Sequence, residues 1–275
     1  MRRDRESAMR TSHETAPGLP APQAAELAAA VSERELLRLL GLPRGRELAG
    51  DLRSRADEAR AWYGEHGRPF AVALHVGVHG IESDAVRLAD GTELRSPALA
   101  EDLREVEGSA VLVLAASAGP EVAAESARRW ADARPDEAWF LDRFAAAATE
   151  ALVLLASGTA CRAACVAGET LLPPRSPGCA GFEIADQHLL MALLGALPAP
   201  NERMALGPIE LLPSGALAPP HSLLAALGVT RRPLPATTPE ALCRGCALDP
   251  CRFRRAPQAA TKRPVRERGA SRVNA

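Results

Sequence analysis

Phe70–Val78, FAVALHVGV, and Ala110–Ala116, AVLVLAA, are the stretches whose reading decides the fold. Both are short apolar runs of strand type, and Gly80 breaks the first. The second is apolar at every position, as a strand buried on both faces must be. Around these two lie helix signals. Ser32 with Glu35 forms a capping-box pattern ahead of Leu36, Leu37, Leu39 and Leu40, and Gly41 ends the helix. A second helix is expected over Glu47–Tyr63. Ser96 and Pro97 open a third over residues 96–105. Another starts near Pro120. A further one runs over Pro135–Leu155, with Phe140, Phe144, Ala147 and Ala151 at helical spacing. The last third predicts a strand over Cys165–Leu171, a helix over Ile184–Leu194, strands over Ile209–Leu212 and Ala216–Ala218, and a helix over Ser222–Leu227. Strands and helices do not alternate as βαβ units. The expected class is therefore α+β, with a mainly antiparallel twisted sheet flanked by helices.

The chain has 275 residues, enough to bury a sizeable core without disulfides. Residues 1–23, charged and proline-rich, read as a disordered leader, residues 24–255 as one folded unit, and residues 256–275 as a basic tail. The leader has no apolar core, so no secretory signal is expected. The net charge is −1 and aromatics make up 3%, which argues against nucleic acid as a partner. The apolar run Ala145–Ala156 is interrupted by Glu150 and is too short to span a bilayer, so no membrane partner is expected. The six cysteines are too sparse for a disulfide scaffold, and a cytoplasmic, reducing location follows. Lys262 is the only lysine, which leaves lysine-based chemistry without a residue in the folded part.

Four segments are candidates for chemistry. Ala115–Glu121, AASAGPE, joins the buried strand to a helix whose first N–H groups would suit an anion. Arg175–Gln187, RSPGCAGFEIADQ, is an irregular loop headed by a guanidinium, whose donor fork suits a carboxylate. Leu212–Leu227 carries Ser214, His221 and Ser222, with Ser222 expected to cap the helix that follows. No G-x-S-x-G elbow supports a hydrolase reading. Cys243, Cys246 and Cys251 have the spacing C-x2-C-x4-C. Three thiolates so placed suit zinc or an iron–sulfur cluster, with Cys161, Cys165 or Cys179 as a fourth ligand or an open position left for a substrate. A redox-active dithiol and inert cysteines are the other readings. His75 and His79 fall on one face near the end of their strand.

Taken in order, these segments resemble the activation domain of vitamin B12-dependent methionine synthase, and more closely its stand-alone versions that end in a cysteine element. The family loop R-x-P-G-Y reads here Arg175, Ser176, Pro177, Gly178, Cys179. Its segment E-S-x-x-M-x-P-x-x-S reads Pro213, Ser214, Leu217, Pro219, Ser222. Its terminal C-x2-C…C-x-[YF]-R reads Cys243, Cys246, Cys251, Phe253, Arg254. AASAGPE and the helix with Thr149–Glu150 match further patterns of the same proteins. Cys179, Pro213 and Leu217 replace the family's tyrosine, glutamate and methionine.

The resemblance implies an S-adenosylmethionine site built from Arg175, Pro177, Gly178, Cys179, Ala180 and Ser214, with Arg175 on the ligand's carboxylate. It implies a role in reductive methylation of a corrinoid partner, with an electron from a flavodoxin-like donor. The chain lacks a D-x-H-x-x-G motif, so cobalamin would belong to that partner, a corrinoid methionine synthase or a related protein. The chain would then be a component or accessory of a methyltransferase. The alternative is a metal- or cluster-binding redox module on the same scaffold.

Overall fold

The computed structural model describes residues 21–43, 45–196, 206–234, 243–244 and 254–257. Helices α1 (Ala24–Ala30), α2 (Glu33–Leu39) and α3 (Gly50–His66) lead into strands β1 (Phe70–Ile81), β2 (Val86–Leu88) and β3 (Glu93–Leu94). Helix α4 (Pro97–Glu105), strand β4 (Ala110–Ser117), helices α5 (Glu121–Ala131) and α6 (Pro135–Val166) and strand β5 (Thr170–Leu171) follow. A 3-10 turn (Ile184–Asp186), helix α7 (Gln187–Gly195) and strands β6 (Glu210–Leu211), β7 (Leu217–Ala218) and β8 (Ser222–Thr230) complete the described elements.

The fold is α+β. One sheet has the strand order β3-β2-β1-β4-β8-β5, all pairs antiparallel, and β6 and β7 form a separate hairpin. Every residue of β4 is buried, because both faces of the sheet are covered. On one face Ala71, Ala73, Leu112, Leu114 and Leu227 meet α1, α2, α3 and α6, with Phe140, Phe144 and Leu152 at the centre. On the other, Leu74, Val76, Val111, Val113 and Leu224 meet Leu99 and Leu103 of α4 and Leu190 and Leu194 of α7. Alternation along a strand sends neighbouring residues to opposite faces, which is why two separate cores form.

Three sequence expectations are corrected. Gly80 does not break the first strand: β1 runs on to Ile81, with a register shift between Val78 and Gly80 where it pairs with β2. The expected strand over Cys165–Leu171 begins only at Thr170, because α6 continues to Val166. Nothing in CRAACVA breaks a helix. Gly168, at φ +73°, ends it, with Glu169 N donating to Ala164 O as in a Schellman turn. The expected helix over Ser222–Leu227 is strand β8. It lies beside β4 in unbroken antiparallel register from Ser222 opposite Ser117 to Val229 opposite Ala110. A short Leu/Ala run has no decisive period, and the open edge of β4 selects the extended form.

By length and composition α6 is apolar enough to cross a bilayer. Its buried residues, among them Phe140, Leu141, Phe144 and Leu152, belong to the core against the sheet.

Candidate functional site

The arginine-headed loop leaves β5 and is tied back to β8. Arg175 N donates to Ala226 O at 2.9 Å and Ala226 N to Arg175 O at 2.8 Å. A compact turn follows. Cys179 N donates to Ser176 O, Phe182 N to Cys179 O and Gly178 N to Phe182 O, each at 3.0 Å. Gly178 and Gly181 sit at φ +86° and +77°, a region that glycine enters without strain. Phe182 is buried and anchors the end of the turn, while Gly178 and Cys179 face outward.

Helix α4 is the template on which this loop lies. Pro97 starts it and Ser96 caps it, the Oγ accepting from Leu99 N at 3.1 Å. The Ser96 hydroxyl also donates to Gly181 O at 2.7 Å, and Ala98 N donates to the same carbonyl at 3.2 Å. A Cβ on Gly181 would lie 2.9 Å from Ala98 Cβ, so the close approach requires glycine. Further along α4, Asp102 accepts from Arg175 Nε at 2.7 Å and from Nη2 at 3.0 Å. The two side chains are 30% and 21% exposed, at the boundary between core and solvent.

Ser214 stands at the exposed tip of the β6–β7 hairpin, its Oγ accepting from Ala216 N at 3.4 Å. The hairpin and the loop meet the same short element. Gln187 Nε2 donates to Gly215 O at 2.9 Å, and a Cβ on Gly178 would lie 3.0 Å from Ile184 Cδ1. Asp186, buried beside them, accepts from Arg95 N at 2.6 Å, and burial pushes its carboxyl above the ordinary aspartate range. Arg175, Pro177, Gly178, Cys179 and Ala180 thus share one turn, and Ser214 joins it through Ile184–Gln187.

AASAGPE is filled by the chain itself. Glu121 places a carboxylate in the first turn of α5, where an anion was expected. Gly119 is packed so closely that a Cβ would lie 2.8 Å from Arg68 O. Ser222 is not a helix cap; its Oγ donates to Ser117 Oγ at 3.0 Å across the strand pair. His221 Nε2 lies 2.9 Å from Asp142 Oδ1, and this hydrogen bond holds the Asp142 carboxyl below its usual range.

Cys243 lies on the opposite, α2 side of the fold. Arg254 Nη1 donates to its carbonyl at 2.7 Å, and Arg255 N donates to its Sγ at 3.2 Å. Arg255 and Arg38 both contact Glu35, each at 2.9 Å, and both contact Glu150. A cleft of about 790 Å³ opens beside this quartet, lined in part by Arg34, Arg46, Arg53 and Arg254. Cys246 and Cys251 lie outside the described residues. Among the described residues no group of three or more His, Cys, Asp or Glu could hold a metal ion. Cys161 and Cys165 are one helical turn apart on α6, and Cys179 is in the Arg175 loop.

Sequence reasoning named Ser96 as a cap but missed its contact with Gly181, and it missed Asp102 and the quartet. Asp102 reads as one more charge on a solvated helix face, and only the crossing of α4 under the loop gives it a role. Glu150 carried a signal, the family-like Thr149–Glu150 pair, but nothing in the sequence named Arg38 or Arg255 as its partners.

No family model matches the chain, and no curated protein matches it. Among solved structures it is similar to the MetH reactivation domain, whose crystal structure holds AdoHcy, with a TM-score of 0.58 and 12% identity over 86% of each chain. This likeness shows a shared activation-domain-like fold.

Proposed function

We propose that the chain binds an S-adenosylmethionine-type ligand at the Arg175 loop and assists reductive methylation of a corrinoid carried by a partner protein. The observation that carries this reading is the fold shared with the MetH reactivation domain, whose crystal structure holds AdoHcy. The residues present fit such a ligand. Arg175 offers a half-exposed guanidinium for a carboxylate, and Gly178 to Ala180 present an outward-facing backbone turn. Ser214 supplies a hydroxyl from the neighbouring hairpin. The ligand supplies a methyl group on a sulfonium; the chain's part is to hold its carboxylate and orient it toward the partner. Residues 24–255 form the functional unit in this reading, the location is cytoplasmic, and a flavodoxin-like protein supplies the electron.

Calorimetry with S-adenosylhomocysteine and S-adenosylmethionine tests the ligand. Binding at micromolar to millimolar concentration is expected, and Arg175→Ala abolishes it. Arg175→Lys keeps the charge but not the fork, so it recovers only part of the affinity. The absence of heat at millimolar ligand, together with no effect on reactivation of a corrinoid methionine synthase, rejects the proposal.

A second reading is supported by the Arg255 N–H on Cys243 Sγ, a contact of the kind that stabilises a ligating thiolate. Cys243, Cys246 and Cys251 would then hold zinc or an iron–sulfur cluster in a redox module. Metal analysis of protein purified without oxygen decides it: stoichiometric zinc or iron supports the site, and metal-free protein removes it.

A further inference from the structure

We infer that Asp102 is the positioning residue that lets the Arg175 loop select a carboxylate-bearing ligand over one that lacks it; this rests on the ligand site proposed above. An arginine on a loop has several rotatable bonds, and ordering it on binding costs entropy. Here that ordering is complete before any ligand arrives. Asp102 takes Nε and Nη2 together, at 2.7 and 3.0 Å, which fixes both the plane and the direction of the guanidinium. The acceptor is itself held, because Asp102 sits within α4, whose Leu99 and Leu103 are buried to 0% exposure on both sides of it. The same helix grips the other end of the loop through Ser96 and Ala98 on Gly181 O. The side chain and the backbone of the loop are therefore referenced to one rigid element, and a ligand's carboxylate and its remaining atoms meet groups in fixed relation.

The charged groups around the pair also favour this role. Glu101 and Glu105 lie on exposed positions of α4, Arg104 donates to Glu82 O, and Arg95 pairs with Glu93. Without Asp102 the guanidinium keeps its charge but loses the two-point contact that sets its plane. Attraction for any anion survives, and discrimination by geometry does not.

The test compares S-adenosylhomocysteine with its decarboxylated analogue by calorimetry on the full chain. Wild type is expected to prefer the carboxylate-bearing ligand by at least tenfold. Asp102→Asn reduces that preference to threefold or less, with the affinity for the decarboxylated analogue unchanged. Asp102→Glu restores part of it, and an unchanged unfolding midpoint in either variant certifies the fold. A merely structural Asp102 would weaken both ligands alike, which overturns the inference. A wild-type preference retained in Asp102→Asn overturns it too, as does a wild type without preference. If neither ligand binds wild type, the ligand site itself is wrong and the inference falls with it.

Discussion

Two arginine–carboxylate clusters tie outlying segments to the body, and they are built differently. At the Arg175 loop one aspartate grips one guanidinium, with both side chains at the solvent boundary. On the α2 side, Arg38 and Arg255 share Glu35 and Glu150, and the two arginine side chains are only 10% and 18% exposed. In the quartet each carboxylate bridges two cations, so removing one member strands charges already withdrawn from water. In the pair, solvent replaces much of what is lost. The comparison teaches that the quartet is an anchor for the segment around Cys243, whereas the pair orients a side chain at little cost in stability.

The largest effect is expected at the quartet. Glu150→Ala removes one of the two carboxylates shared by Arg38 and Arg255, and a loss of about 2–3 kcal/mol follows, at or below the usual range for breaking a buried pair because of the partial exposure. Urea unfolding measures it. Alkylation of Cys243, followed by peptide mass spectrometry, should accelerate in the same variant. A loss below about 0.5 kcal/mol would put the quartet on the level of an ordinary surface pair.

Gly181→Ala comes next. It forces a side chain into φ +77° and into contact with Ala98, and about 1–2 kcal/mol of destabilisation is expected. Because the strain falls on the α4 clamp, the same variant should weaken ligand binding. Intact binding would separate loop backbone from ligand site.

Asp102→Asn should shift stability by less than about 1 kcal/mol, since the pair it breaks is partly exposed. A larger loss in chemical unfolding would make the pair an anchor like the quartet and erase the contrast.

The smallest effect belongs to the His221–Asp142 contact, which lies away from both clusters. Its carboxyl is held low in the folded state, so its contribution is full above the unfolded aspartate value of about 3.9 and fades as pH falls through the lower folded value. His221→Gln should lower the unfolding midpoint slightly on the neutral plateau and leave it unchanged well below about pH 4, so that the acid limb flattens. An unchanged limb would assign acid sensitivity to other carboxylates.

Much of the fold is legible before any coordinates. The strands at Phe70 and Ala110, the Ser32 and Ser96 caps and the helix at Pro135 follow from apolar runs and local capping chemistry, which act over a few residues. The Arg175 turn is legible for the same reason, since Pro177, Gly178 and Gly181 demand an irregular backbone wherever they stand. β8 was not legible. SLLAALGVT has Leu and Ala that favour a helix, and burial between two neighbouring strands overrides that preference.

The candidate site divides along the same line. Residue type alone named Arg175 as a carboxylate-seeking group and the three C-terminal cysteines as a cluster of thiols. Which carboxylate holds Arg175, and which arginines meet Glu150, depended on pairs separated by 73 residues in one case and by 105 and 112 in the other. Local propensity carries no information over such distances. Only the packing of α4 beneath one loop and of α2 against α6 brings these charges within reach, because a charge selects its partner by proximity and by shared exclusion of water, and both exist only once the chain has folded.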